Sequence, residues 1–201
     1  MFINIRMFFF KTGNAKYISH LDLYRAFGRA IKRSGLPVWI TEGFNPHIYM
    51  TFALPLALGI EGGEESVDLR LTGESVDFAE VVQTLNAVMP HGMGVIRAAA
   101  PVRKASEIAR ARYEIRTQSQ EAFEKLDVYL SQPEIKIVKK TKRSAQEIDV
   151  KPLLEWERET GILTLPAGSE LNINPWNVLD GLEITNVKRT AVLCRDGELF
   201  A

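Results

Sequence analysis

Two histidines and a run of regularly spaced cations carry the residue types in this chain that could do chemistry. His20 and His47 are two of its three histidines. Imidazole titrates at about pH 6.5, so such a pair can divide acid–base work, one ring deprotonating a 2′-hydroxyl while the other protonates a leaving oxygen. That chemistry is metal-independent RNA cleavage, and it requires both rings on opposite sides of one phosphate, with Arg25 or Lys16 stabilising the phosphorane. Plainer roles stay open for both. His20 beside Asp22 can hydrogen-bond locally, and His47 can lock its own loop through Glu42 or a backbone carbonyl. His20, Asp22, Glu42 and His47 offer nitrogen and oxygen ligands but no standard metal spacing, so no metal site is expected. Arg25, Arg29 and Lys32 recur three and four residues apart, the spacing of one helix face, and are suited to phosphates.

These residues need a helix and a loop to position them. Ser19 reads as an N-cap with Asp22 as the acid of a capping box, placing a helix over about 19–34. Leu21, Tyr24, Phe27 and Ile31, with Leu23 and Ala30 at the edge, form its expected buried face. Gly35 stops it and Pro37 prevents its resumption. The polar loop Thr41-Glu42-Gly43-Phe44-Asn45-Pro46-His47 follows, and then the apolar run 48–58, interrupted by Pro55.

The wider chain reads as strand 2–10, the helix, a short strand 37–40, the loop, a loop over 59–65, strand 66–71, helix 76–88 and strand 94–99. That order matches a split βαβ unit. A second set follows: strand 113–117, helix 120–131, a strand over 134–140 pairing with 148–154, strand 162–165, a short helix from Asn174-Pro175, and strand 184–194. The expected fold class is therefore α+β, with tandem ferredoxin-like domains, the second more decorated. The expected boundaries are 1–100 for the first domain, 101–111 for a linker and 112–201 for the second domain.

The chain has 201 residues, with 25 basic and 25 acidic side chains and no formal net charge. A protein coated in phosphate-binding charge is excluded, but a local basic groove is not. Residues 11–35 carry Lys11, Lys16, Arg25, Arg29, Lys32 and Arg33 against Asp22 alone, and 136–143 carry Lys136, Lys139, Lys140, Lys142 and Arg143 with no acid. Cys194 is the only cysteine, which rules out sulfur-ligated zinc or iron–sulfur clusters within the chain and suits a small buried hydrophobe in a reducing compartment. Residues 1–6 lack a signal pattern and no long apolar run occurs, so a soluble, cytoplasmic protein with no membrane contact is expected.

The run F-x-K-x-G-x-x-x-Y-I-S-H-L-D-L from Phe9 to Leu23, L-P-V from Leu36, E-G-F-N-P-H from Glu42 and A-L-P-L-x-L-G from Ala53 resembles DUF2344, a radical-SAM-associated domain. Thr141-Lys142-Arg143 and Ile148-Asp149-Val150-Lys151-Pro152 resemble its second-half motif. The chain departs from the pattern after His47, where Ile48-Tyr49 replaces proline and lysine, and at Gly62 or Gly63, where serine is usual. In that family the domain is found as a separate protein or fused behind a cobalamin-binding-type radical SAM protein. The resemblance implies a radical SAM partner carrying an iron–sulfur cluster and S-adenosylmethionine, with cobalamin a further candidate, and no cofactor in this chain.

The residues and the resemblance together give a first expectation: a non-catalytic subunit that recognises a structured RNA or ribonucleoprotein for the partner. Lys16, Arg25, Arg29, Lys32, Asn45, His47, Lys140, Lys142 and Arg143 would hold the strand, while Phe44, Tyr49 or Tyr17 would stack on bases. The helix face is expected to meet the 136–143 hairpin across a cleft. The alternatives are the ribonuclease using His20 and His47, and an interaction scaffold without RNA binding, in which the apolar run 50–58 or Trp39, Trp156 and Trp176 dock a partner.

Overall fold

The computed structural model describes residues 1–140 and 145–201. The chain is α+β and divides into two compact units, Met1–Ala105 with Ala201, and Ser106–Phe200.

In the first unit, β1 (Phe2–Lys11) leads through a 3-10 turn at Gly13–Tyr17 into α1 (His20–Ser34), followed by β2 (Met50–Phe52), β3 (Glu61–Thr72), α2 (Phe78–Asn86) and β4 (Met93–Ala99). The sheet order is β4-β1-β3-β2, and each neighbouring pair is antiparallel. The pleat of β1 turns Ile5, Met7 and Phe9 to one face. There they form one core with Leu23, Phe27 and Ile31 of α1, Val67, Leu69 and Leu71 of β3, Val81 and Leu85 of α2, and Met93 and Val95 of β4.

Local chemistry sets the limits of α1. The Ser19 hydroxyl oxygen accepts from the Asp22 N–H at 3.1 Å and its proton is donated to the Asp22 carboxylate at 2.7 Å. Gly35 ends the helix at φ 73°, in the left-handed region glycine favours. The buried face is Leu23, Phe27, Ala30 and Ile31. Leu21, expected within it, is exposed because two residues turn the helix by about 200° from Leu23.

Two stretches depart from their sequence reading. Gly62 and Gly63, expected in a loop, lie inside β3, where Gly62 pairs with Lys11 of β1. The expected strand 37–40 makes single bridges instead, Val38 to Leu71 and Ile40 to Ile48. Together with the Thr41 N–H bond to the His47 carbonyl at 2.8 Å, these bridges close 41–47 as the tip of a hairpin.

The second unit contains β5 (Ile108–Thr117), α3 (Gln120–Leu130), β6 (Lys136–Lys140), β7 (Ala145–Asp149), β8 (Glu155–Glu157), β9 (Ile162–Pro166), α4 (Pro175–Val178) and β10 (Ile184–Cys194). β5 begins inside the stretch expected as linker. The main sheet order is β10-β5-β9-β8, again antiparallel, and β6 pairs with β7 separately. The hairpin partner of β6 therefore lies earlier than the expected 148–154. Asp149 ends β7 by accepting from the Ile135 and Lys151 N–H groups at 2.9 and 3.0 Å. These two backbone bonds hold its carboxyl below the usual range.

Candidate functional site

The cationic strip of α1 and the end of the 41–47 loop line one concavity in the first unit. Its walls are Tyr24, Arg25, Gly28, Arg29 and Lys32 from the helix and Pro46, His47, Ile48 and Met50 from the hairpin, around a volume of about 240 Å³. Tyr24 ties the two sides by donating its hydroxyl to the Ile48 carbonyl at 3.1 Å. Ile48 and Met50 are buried and form an apolar floor, while Arg25, Arg29 and Lys32 are exposed along the rim. Arg25 also reaches Asp22 at 3.2 Å. That exposed pair is weak, because water and side-chain entropy offset most of its attraction. Hydrogen bonds from Ser19 and then Arg25 keep the Asp22 carboxyl ionised below its ordinary range. The Arg29 charge also acts on Asp22, but among the described residues neither Arg29 nor Lys32 makes a close ion pair with an acid.

His47 is held by its own loop. Nδ1 lies 2.8 Å from the Asn45 carbonyl and 3.0 Å from Thr41 Oγ1, and the His47 N–H donates to that hydroxyl at 3.1 Å. A carbonyl can only accept, so Nδ1 carries a proton in this contact. Of the partners weighed from sequence, it is the backbone carbonyl, contributed by Asn45, that locks the loop. Phe44 projects fully exposed at the tip.

His20 is not among the residues lining this concavity. Its ring packs edge-on against Phe52, with centroids 5.2 Å apart. Burial, and then the Lys11 charge, lower its pKa. Lys11 itself is buried, with Nζ 3.5 Å from the Lys16 and Ile18 carbonyls. Lys16 lies with its ammonium 5.3 Å from the ring of Tyr17, which is exposed.

Tyr49 is also placed elsewhere, because a pleated chain sends alternate side chains to opposite faces and Ile48 and Met50 take the concavity side. Its ring lies 4.3 Å from the Arg70 guanidinium, beside Trp39 at 5.7 Å. There it borders a separate hollow shared with Asn4, Arg70 and Lys104.

In the second unit a larger hollow, about 670 Å³, is lined by Tyr129, Lys136, Ile137, Val138, Asn177 and Asp180. Among its described lining residues the cation is Lys136, 3.0 Å from Glu134, and Asp180 adds negative charge. Lys142 and Arg143 lie outside the described residues, as does the side chain of Lys140.

Gly28 belongs to the concavity although sequence reading passed over it; the available signal was a glycine in the middle of a helix. A Cβ there would meet nothing within 4 Å. Gly28→Ala is therefore expected to stabilise the protein by about 0.5–1 kcal/mol, the ordinary difference between these residues in a helix. Urea denaturation checks this, and a loss of stability would mean that the position is more crowded than the structure has it.

Among the described residues, no group of three or more His, Cys, Asp or Glu side chains could hold a metal ion, and no helix is long and apolar enough to cross a membrane.

The fold and the site thus define an α+β protein with a small cation-rimmed concavity. The family profile described as "Uncharacterized protein conserved in bacteria (DUF2344)" matches residues 4–175, most of the chain, and the protein belongs to that family. No curated protein matches it.

Proposed function

We propose that the protein is a non-catalytic RNA-recognition subunit that presents a structured RNA or ribonucleoprotein to a radical SAM enzyme. The partner would carry the iron–sulfur cluster and S-adenosylmethionine, with cobalamin a further candidate, and this chain would supply binding. The observation that carries the reading is the shared lining of one concavity by Arg25, Arg29, Lys32 and His47. Residues distant in sequence are gathered there, with Arg29 and Lys32 in no close ion pair among the described residues, and exposed cations of this kind suit phosphates. Phe44 at the loop tip is positioned for stacking on an exposed base. Lys140, Lys142 and Arg143 are proposed to add phosphate contacts of their own.

The strand order β4-β1-β3-β2, with α1 and α2 in the connections, supports a ferredoxin-like reading of the first unit. The order β10-β5-β9-β8 supports the same reading of the second, with the β6–β7 hairpin as its decoration.

The test is to crosslink the purified protein to total cellular RNA at low and moderate salt and sequence what is retained, with an Arg25→Ala/Arg29→Ala variant in parallel. A defined RNA is expected, weakening with salt. Loss of two phosphate contacts should flatten the log–log salt slope by about 1.4 for a single strand. Equal retention by the variant would remove α1 from the reading, and no enrichment by either protein would overturn autonomous RNA binding. Cleavage at the bound site would instead favour the ribonuclease alternative.

A further inference from the structure

Neither backbone conformation nor packing requires glycine at position 28. Its φ is not positive, and a Cβ would meet nothing within 4 Å. What the missing side chain does provide is open floor. Gly28 lies one turn from Tyr24 and one turn from Lys32 and lines the concavity together with Ile48 and Met50, so a larger side chain there would take up part of the roughly 240 Å³ volume.

The rim narrows what can enter. Arg25 and Lys32 are seven residues apart, about 10 Å along the helix axis, a span that one phosphate cannot use. A small inorganic anion would leave the apolar floor empty, and an uncharged apolar ligand would make no use of the three cations on the rim. An unpaired nucleotide within a strand uses both, with its base on the floor and its neighbouring phosphates along the rim. The Nδ1–H bond to Asn45 leaves the Nε2 edge of His47 free of that contact, in the wall of the concavity.

We propose that this concavity is a single-base pocket, which takes one unstacked base of single-stranded RNA over Gly28, against Tyr24, Ile48 and Met50, while Arg25, Arg29 and Lys32 hold the flanking phosphates. It rests on the RNA-recognition reading and specifies what that surface takes.

Fluorescence anisotropy with the full chain tests it, using a short labelled single-stranded RNA of mixed sequence and an abasic ribose–phosphate strand of the same length. The wild type should bind the RNA roughly tenfold more tightly than the abasic strand, the usual scale for one base stacked in a site. Gly28→Leu fills the floor, keeps every charge and suits a helix better than glycine. It should weaken RNA binding roughly tenfold and leave abasic binding unchanged. A thermal melt on the same samples verifies that the variant is folded. Equal wild-type affinity for the two strands, or a Gly28→Leu variant that binds RNA like wild type, would overturn the base pocket while leaving a phosphate-binding helix. Failure of the wild type to bind either strand would overturn the concavity as a site for single-stranded RNA, whereas the RNA-recognition reading itself falls only with failure to retain any RNA in the crosslinking experiment.

Discussion

Phe27→Ala is expected to lower the unfolding free energy by about 3–5 kcal/mol, the usual cost of deleting a fully buried phenyl ring. Phe27 is completely buried, with its ring 4.7 Å from Phe9 of β1 and 5.6 Å from Phe52 of β2, both near edge-on. It is thus the side chain that presses α1 onto the sheet and against the strand leaving the 41–47 hairpin. Loss of the ring removes transfer energy and leaves a cavity that two other aromatic rings cannot fill without leaving their own contacts. Urea denaturation measures the effect, with Phe27→Leu as the partly filled comparison. A cost under about 1 kcal/mol would mean that the helix is held from elsewhere. Because Phe27 lies on the core side of the helix and Arg25, Arg29 and Lys32 on the other, RNA affinity per folded molecule should change less than stability does.

Asp68→Asn is expected to cost about 3 kcal/mol, near the lower end for breaking a buried ion pair. Arg6 and Asp68 face each other across β1 and β3. The guanidinium donates Nε to one carboxylate oxygen at 2.7 Å and Nη2 to the other at 2.9 Å, while Nη2 also meets the Arg103 carbonyl at 2.9 Å. The Arg6 side chain is only 2% exposed, whereas Asp68 is 30% exposed. Removing the carboxylate therefore strands a charge that water barely reaches, which is why Asp68→Asn should cost more than Arg6→Met, where the group left behind is partly solvated. The double variant Arg6→Met/Asp68→Leu should recover much of the loss, since apolar replacements of a buried pair are often nearly neutral. Equal costs for both single changes, measured by denaturation, would show that Asp68 is no better solvated than Arg6.

Several features of the site were legible because their causes are local. Ser19 and Gly35 bound α1 through a side chain accepting a nearby N–H and a residue tolerant of positive φ. The three-and-four spacing of Arg25, Arg29 and Lys32 places them on one helix face wherever the helix is put. The buried face was less secure: Leu21 and Leu23 are both apolar, and only the sheet decides which phase of the helix is covered. Gly62-Gly63 carries a loop signal that pairing with β1 overrides. Tyr49 and His47 lie two residues apart, a spacing that would share one face of a regular strand, yet His47 at the hairpin end lines the concavity while Tyr49 packs on Arg70 and Trp39.

By itself the sequence determined the family, the α+β class, the limits of α1, the cationic strip and a turn-rich segment ending in His47, since each depends on residue type and short spacing. Only the tertiary structure decided that the strip and the segment line one concavity, that His47 bonds to the Asn45 carbonyl, that His20 packs on Phe52 away from that lining, and that Gly28 leaves the floor open. Those outcomes depend on the rotation of α1 and on where the 37–50 hairpin meets it, both set by long-range packing of Phe27, Phe9 and Phe52, which no local pattern encodes.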